Sequence, residues 1–269
     1  MALSTETRRR FAPEVVVLGL GAGAAVTVIL LHIAVPRAPW APQWREPESR
    51  VRIYFDVARE QNLPTWFNVS LLLLAAVMAA LAAVLARAAH DRAALPWVGL
   101  AFVCAALSLD DMTSLHERLH SFGVSIGGGS GLTYAAWLVP GLMFAALVVL
   151  AIAVLFRLVR RRARLLLVAG VACLLVGAFG VESVGNAVLQ AQGHGRTYAY
   201  FLIVEEFLEA IGAVCLLAAP FAEIRFRRSG GEFRLAYRPR ESRDRSQLPV
   251  VEDGHPGPEP RLGESADLK

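Results

Sequence analysis

Runs of eighteen or more apolar residues, broken by short polar stretches, recur along the whole chain and dominate its pattern. Six such runs are drawn at 14–35, 66–87, 95–121, 133–156, 164–190 and 198–221. Each is long enough for a helix to cross a hydrocarbon layer of about 30 Å. The predicted fold class is therefore all-α: an integral membrane helical bundle of about six transmembrane helices. The third and fifth runs begin apolar and end polar, so their outer limits stay open. Between the first two runs, Val51, Tyr54, Phe55 and Ala58 recur at helical spacing, which predicts an amphipathic segment at about 48–62 lying on the membrane surface. Pro36, Pro39 and Pro42 with Trp40 and Trp44 precede it as an interfacial collar. From residue 223 the chain turns polar, and 223–269 reads as a disordered tail unable to bury enough apolar surface to fold alone.

Composition supports the bilayer reading, with 55% hydrophobic residues and positive mean hydropathy. The formal charge of +4 does not point to nucleic acid, because arginine sits in short clusters beside the apolar runs. Arg8 to Arg10, Arg87 with Arg92, Arg157 to Arg164, and Arg225 to Arg228 fall on one side of a six-span chain. The positive-inside rule makes that side cytoplasmic, with both termini inside. The domain plan is then a cytoplasmic N-terminus at 1–13, a transmembrane domain at 14–222 and the tail. All basic residues but Lys269 are arginine, the bias of a GC-rich bacterial genome, so the expected location is the bacterial inner membrane with lipid as the neighbour. Thr7 to Phe11 faintly resembles a twin-arginine signal, but the following run lacks a cleavage site and reads as a retained span. Cys104, Cys173 and Cys215 lie inside apolar runs and read as packing residues. Gly19, Gly21 and Gly23 lie mid-span, where small residues let helices approach; no glycine-rich phosphate loop or dinucleotide fingerprint is present.

Ionisable groups concentrate near the outer ends of three spans. As one helix, Leu107 to His120 places Asp110, Thr113, His116, Glu117 and His120 in an arc of about 120°, with Asp111 pointing elsewhere. The fifth span carries Glu182, Asn186 and Gln190 at i, i+4 and i+8, and the sixth carries Glu205, Glu206 and Glu209. Alternating topology brings all of these to a similar depth, with Glu60 and Asn62 nearby. Each carboxylate in a bilayer costs roughly 2.5–3.5 kcal/mol on insertion scales, so something must offset them. A divalent cation does so most economically, with Asp110, His116, Glu182, Glu205, Glu206 and Glu209 as candidate ligands and Zn, Fe or Mn as candidate metals. Glu60, Asn62, His120 and Asn186 are candidate supporting residues. The alternative is a hydrated vestibule in which Arg118 and the acids neutralise one another.

His116-Glu-Arg-Leu-His120 spells the H-E-x-x-H of zinc peptidases, in which two imidazoles one turn apart hold a metal and the glutamate moves a proton. On that chemistry Glu117 is the catalytic candidate and the protein a metal-dependent hydrolase acting at the outer leaflet. A non-catalytic scaffold or sensor, and a proton or cation transporter, are the other classes; the inner halves of the spans carry few ionisable groups, which disfavours transport. Ser108, Thr113, Ser114 and Ser183 are weaker candidates, since hydroxyls in membrane helices tend to bond the i−4 carbonyl.

Glu60-x-Asn-Leu-Pro-Thr-Trp-Phe67, Leu107-Ser-Leu-Asp-Asp111 with His116-Glu117, and Glu205-Glu206-x-x-Glu209 together resemble a set of uncharacterised bacterial multipass membrane proteins. The likeness runs from Tyr54 to Leu216. It implies no established activity, groups Glu60, Asn62, Asp110, His116, Glu117, Glu205, Glu206 and Glu209, and does not include His120. A looser likeness in architecture links the chain to the seven-span metal-dependent hydrolases of the alkaline ceramidase and adiponectin receptor superfamily, whose paired histidines on a late helix it lacks.

Overall fold

The computed structural model describes residues 12–229 and 232–238. In chain order the helices are α1 (Pro13–Ala34), α2 (Arg50–Phe55), α3 (Leu63–Ala88), α4 (Ala94–Thr113), α5 (His120–Ser125), α6 (Leu138–Leu155), α7 (Arg161–Leu175), α8 (Glu182–Gln192) and α9 (Arg196–Phe221). A π-helical turn, Val176–Val181, joins α7 to α8, and a hairpin of β1 (Ile224–Ser229) and β2 (Glu232–Tyr237) follows α9. The molecule is an all-α membrane bundle. Five segments are long and apolar enough to cross a membrane: 13–37, 63–88, 94–113, 138–158 and 161–192. Helix α9 is as long as α3 but carries three glutamates.

Helix α9 is the axis of the bundle, packed against α1, α3, α7 and α8. Small residues bring it there. A Cβ added at Gly212 would lie 2.9 Å from the Gly170 carbonyl oxygen, and one at Gly170 would lie 3.0 Å from that of Gly212, so α7 and α9 cross backbone to backbone. Of the three mid-span glycines of α1, only Gly21 meets a neighbour, Val214. Helices α3 and α4 pair through an alanine face at Ala75, Ala79, Ala82 and Ala86, against Trp97, Leu100 and Cys104. Helix α6 lies at the edge and turns most of its apolar surface outward, as a lipid-facing helix does.

Three boundaries differ from expectation. The third span stops at Thr113, not near 121, because Ser114 adopts a left-handed conformation (φ 49°, ψ 44°) and Asp110 captures the next free amide. The surface helix is confined to Arg50–Phe55, since Asp56 turns extended. The expected tail does not begin at 223: residues 224–237 fold back as a hairpin, anchored where the Trp97 indole donates to the Tyr237 hydroxyl at 3.0 Å. Both side chains are buried, and Ile224 joins the same apolar cluster. The expected N-terminal segment up to Phe11 and the tail beyond 238 lie outside the described residues.

Candidate functional site

Polar side chains gather at the end of the bundle where α4, α8 and α9 meet. Asp110, in the last turn of α4, grips His116 twice. Its Oδ1 accepts the His116 backbone N–H at 2.7 Å, and its Oδ2 stands 3.0 Å from Nδ1. With Nδ1 directed at a carboxylate, Nε2 is the nitrogen left for other chemistry. Burial works against the charged ring, yet Asp110, by hydrogen bond and by charge, with Glu117 and Glu182 beyond it, holds the His116 pKa above its ordinary value. The imidazole lies against Trp137 (ring centroids 4.6 Å apart), and Trp137 lies against Phe179 in the π turn.

The indole of Trp137 and the Asn186 amide, at 3.4 Å, both donate to Glu182 at the start of α8. The π turn brings Glu182 near α9. Gly177 makes this possible, since a Cβ there would come within 3.1 Å of Glu209 Cγ and 3.2 Å of the Glu205 carbonyl oxygen. The sequence Gly177-Ala-Phe-Gly180 is a weak α-former, which favours the widened turn.

On α9, Glu205, Glu206 and Glu209 are half-buried and within electrostatic range of Glu182 and of one another. They also face Asp111, a residue that sequence reasoning set aside. The buried face of α4 runs through Leu100, Cys104 and Ser108, and Asp111 is its next member. Its Oδ2 is buried without a hydrogen-bond partner. Asn68, on α3, is in the same condition: its Oδ1 is buried and unpartnered, and its side chain borders the gap that Glu206 also lines. Among the described residues, none of Asp111, Glu182, Glu205, Glu206 and Glu209 is ion-paired with arginine.

The remaining candidates fall outside this cluster. Glu60 is exposed and accepts from the Ser114 hydroxyl, tying the loop before α3 to the end of α4. Asn62 caps α3, where its Oδ1 takes the Thr65 N–H at 3.3 Å and its Nδ2 donates to the carbonyls of Ile53 and Asp56 at 3.0 and 2.6 Å. No bonding capacity is left over for a ligand. Glu117 is exposed in a short 3₁₀ turn, His116–Leu119, and His120 is exposed at the start of α5. The H-E-x-x-H letters therefore do not occupy one α-helix, and its two imidazoles are not stacked one turn apart. Among the described residues no three His, Cys, Asp or Glu side chains stand in metal-holding geometry. Thr113 bonds its i−4 carbonyl, Leu109 O, at 2.7 Å, and Ser108 bonds Val69 O across to α3 at 2.9 Å, so neither is poised as a nucleophile.

A family model described as a domain of unknown function (DUF8692) matches residues 17–224, in keeping with the resemblance to an uncharacterised family. No curated protein and no solved structure matches.

Proposed function

This chain belongs to the DUF8692 family, and on that premise we propose that its acid cluster takes up a cation, a divalent metal ion first of all. The observation that carries this reading is the pair of orphaned acceptors, Asp111 Oδ2 and Asn68 Oδ1, beside an arginine-free group of glutamates. Buried oxygens without donors, among like charges, ask for a positive partner. His116 through Nε2, with Glu182, Glu205, Glu206, Glu209 and Asp111, would supply the donors. Asp110 would stand behind His116, fixing its orientation as carboxylates do behind ligating histidines. Binding would draw the carboxylates inward from their present positions.

The arginine clusters lie at the opposite end, around the hairpin, which the positive-inside rule assigns to the cytoplasm. The acid site would then open on the outer face of a bacterial inner membrane. The sharper version is a metal-dependent hydrolase acting on lipid or peptide at the outer leaflet, with the exposed Glu117 moving the proton. The Asp110–His116 pair favours it over a purely structural vestibule. Transport across the bilayer is disfavoured, because Trp97, Leu100, Cys104, Leu167 and Leu216 close the inner half with apolar surface.

Calorimetric titration of the chelator-treated full chain in detergent with Zn²⁺ and Mn²⁺, beside Glu206→Gln and His116→Ala, tests the reading. Saturable binding in the wild type, weakened in both variants, supports it. No heat, and no metal in the protein as purified, would overturn it together with the hydrolase version.

A further inference from the structure

A second cavity, separate from the acid cluster, opens at the same end of the bundle. It has a volume of about 570 Å³ and lies between the end of α1, the loop that follows it, and the first turns of α9. That size suits a small-molecule site. Its rim carries three guanidiniums, Arg37, Arg45 and Arg52, against one carboxylate, Asp56.

That carboxylate is occupied elsewhere. Asp56 Oδ1 accepts the Ala58 N–H at 3.1 Å and lies 3.4 Å from His32 Nδ1. His32 Nδ1 in turn accepts the Val57 N–H at 3.3 Å, which puts its proton on Nε2 and leaves the ring uncharged. Among the described residues none of the three arginines is ion-paired. Two are held in place from behind, Arg52 donating to the Arg45 carbonyl at 2.7 Å and Arg37 to the Ile33 carbonyl. Their remaining N–H groups are therefore ordered before any ligand arrives, which lowers the entropy cost of binding. Below the rim the walls become apolar, with Ile33 of α1 facing Leu202 and Ile203 of α9. The helix seam continues down to the gap lined by Ile29 and Glu206.

A ring of positive charge above an apolar cleft, in a protein whose surroundings are lipid, fits one class of ligand. We propose that this cleft binds an anionic amphiphile, its phosphate-type head group on Arg37, Arg45 and Arg52 and its acyl chain along the α1–α9 seam. Guanidinium forks match phosphate oxygens in geometry, and basic pockets between membrane helices recognise lipid head groups. The proposal stands whether or not the acid cluster binds a cation.

Native mass spectrometry of the full chain, released from nanodiscs of equal phosphatidylglycerol and phosphatidylcholine, tests it. The expected result is one retained phosphatidylglycerol in preference to phosphatidylcholine, with retention falling about fivefold for each of Arg37→Gln, Arg45→Gln and Arg52→Gln. Leu202→Trp, which fills the cleft and keeps every charge, should also expel the lipid, so the result does not depend on variants that lose a loop anchor. Arg45→Lys, retaining charge without the fork, should bind more weakly than wild type and better than Arg45→Gln. Equal retention of the two lipids would overturn the proposal, as would indifference to all four neutral or filling substitutions. Displacement by glycerol 3-phosphate as effective as by phosphatidylglycerol would replace the amphiphile with a soluble phosphate ester.

Discussion

Asp110 holds His116 by both of its carboxylate oxygens, one on the backbone and one on the ring, across the point where α4 ends. One residue thus terminates a membrane helix and orients an imidazole. Asp110→Asn keeps an acceptor for the backbone N–H but loses the charge behind the ring. If His116 is a ligand, metal affinity should fall by about 10- to 100-fold, the usual cost of losing such a partner. Calorimetric titration checks this, and the thermal midpoint without metal should move little by comparison.

Glu206→Gln should stabilise the metal-free protein. The substitution removes one charge from a crowded group and offers an N–H to the bare Asn68 Oδ1. Satisfying a buried acceptor contributes about 1–3 kcal/mol, and for a chain of this size each kcal/mol moves the thermal midpoint by about 2–4 °C. The same variant should lose the further stabilisation that added metal gives the wild type. Melting curves with and without Mn²⁺ read both effects, and a lower midpoint without metal would count against the repulsion argument.

Glu223 supplies a pH dependence at the other end of the bundle. It is fully buried, accepts the Arg160 N–H at 2.9 Å, and leaves Oε2 without a partner. Burial, the largest cause, raises its pKa from 4.5 to about 7, against the opposing pull of Arg160. A carboxyl raised in the folded state contributes stability fully below 4.5 and loses it as pH rises through about 7. Glu223→Gln, neutral throughout, should therefore gain on the wild type as pH climbs across that window. Paired denaturation series between pH 4 and 8 measure the difference, and parallel curves would remove Glu223 as the cause.

Tyr237→Phe should loosen the hairpin. The buried Trp97 indole N–H would lose its acceptor, at a cost of about 1–3 kcal/mol. Limited proteolysis should then cut within 224–238 faster than in the wild type, while metal and lipid binding at the far end stay unchanged.

Asn62→Ala should cost about 1–2 kcal/mol through loss of the α3 cap and of the two carbonyl contacts that fasten the preceding loop. Metal affinity should not change. A loss of affinity beyond the loss of stability would restore Asn62 to the binding group.

The bundle was legible in the sequence because a twenty-residue apolar run in a bilayer has few solutions other than a helix. The convergence of Asp110, His116, Glu182 and the α9 glutamates followed from alternating topology alone. Asp111 was lost because the polar arc was drawn through His116, Glu117 and His120, which do not belong to α4. Measured from Leu100, Cys104 and Ser108 instead, the helical period puts Asp111 on the buried face. The hairpin was lost to composition: Ile224 to Tyr237 is rich in charge, but its alternation around Gly230-Gly231 is a hairpin signal. The α4 break at Ser114 has no strong local signal, since it depends on a carboxylate six residues before the amide it captures.

The π turn at Val176–Val181 makes the fifth membrane segment sensitive to residue count in an unusual way. It holds one residue more than an α-helical path would need, so removing one there shortens the segment little but turns everything after it by about 100°. Glu182, Asn186 and Gln190 would swing away together. In related chains, a gap placed in this stretch is therefore a change of aim rather than of length, and carboxylates that align by letter across it need not point at the same neighbours.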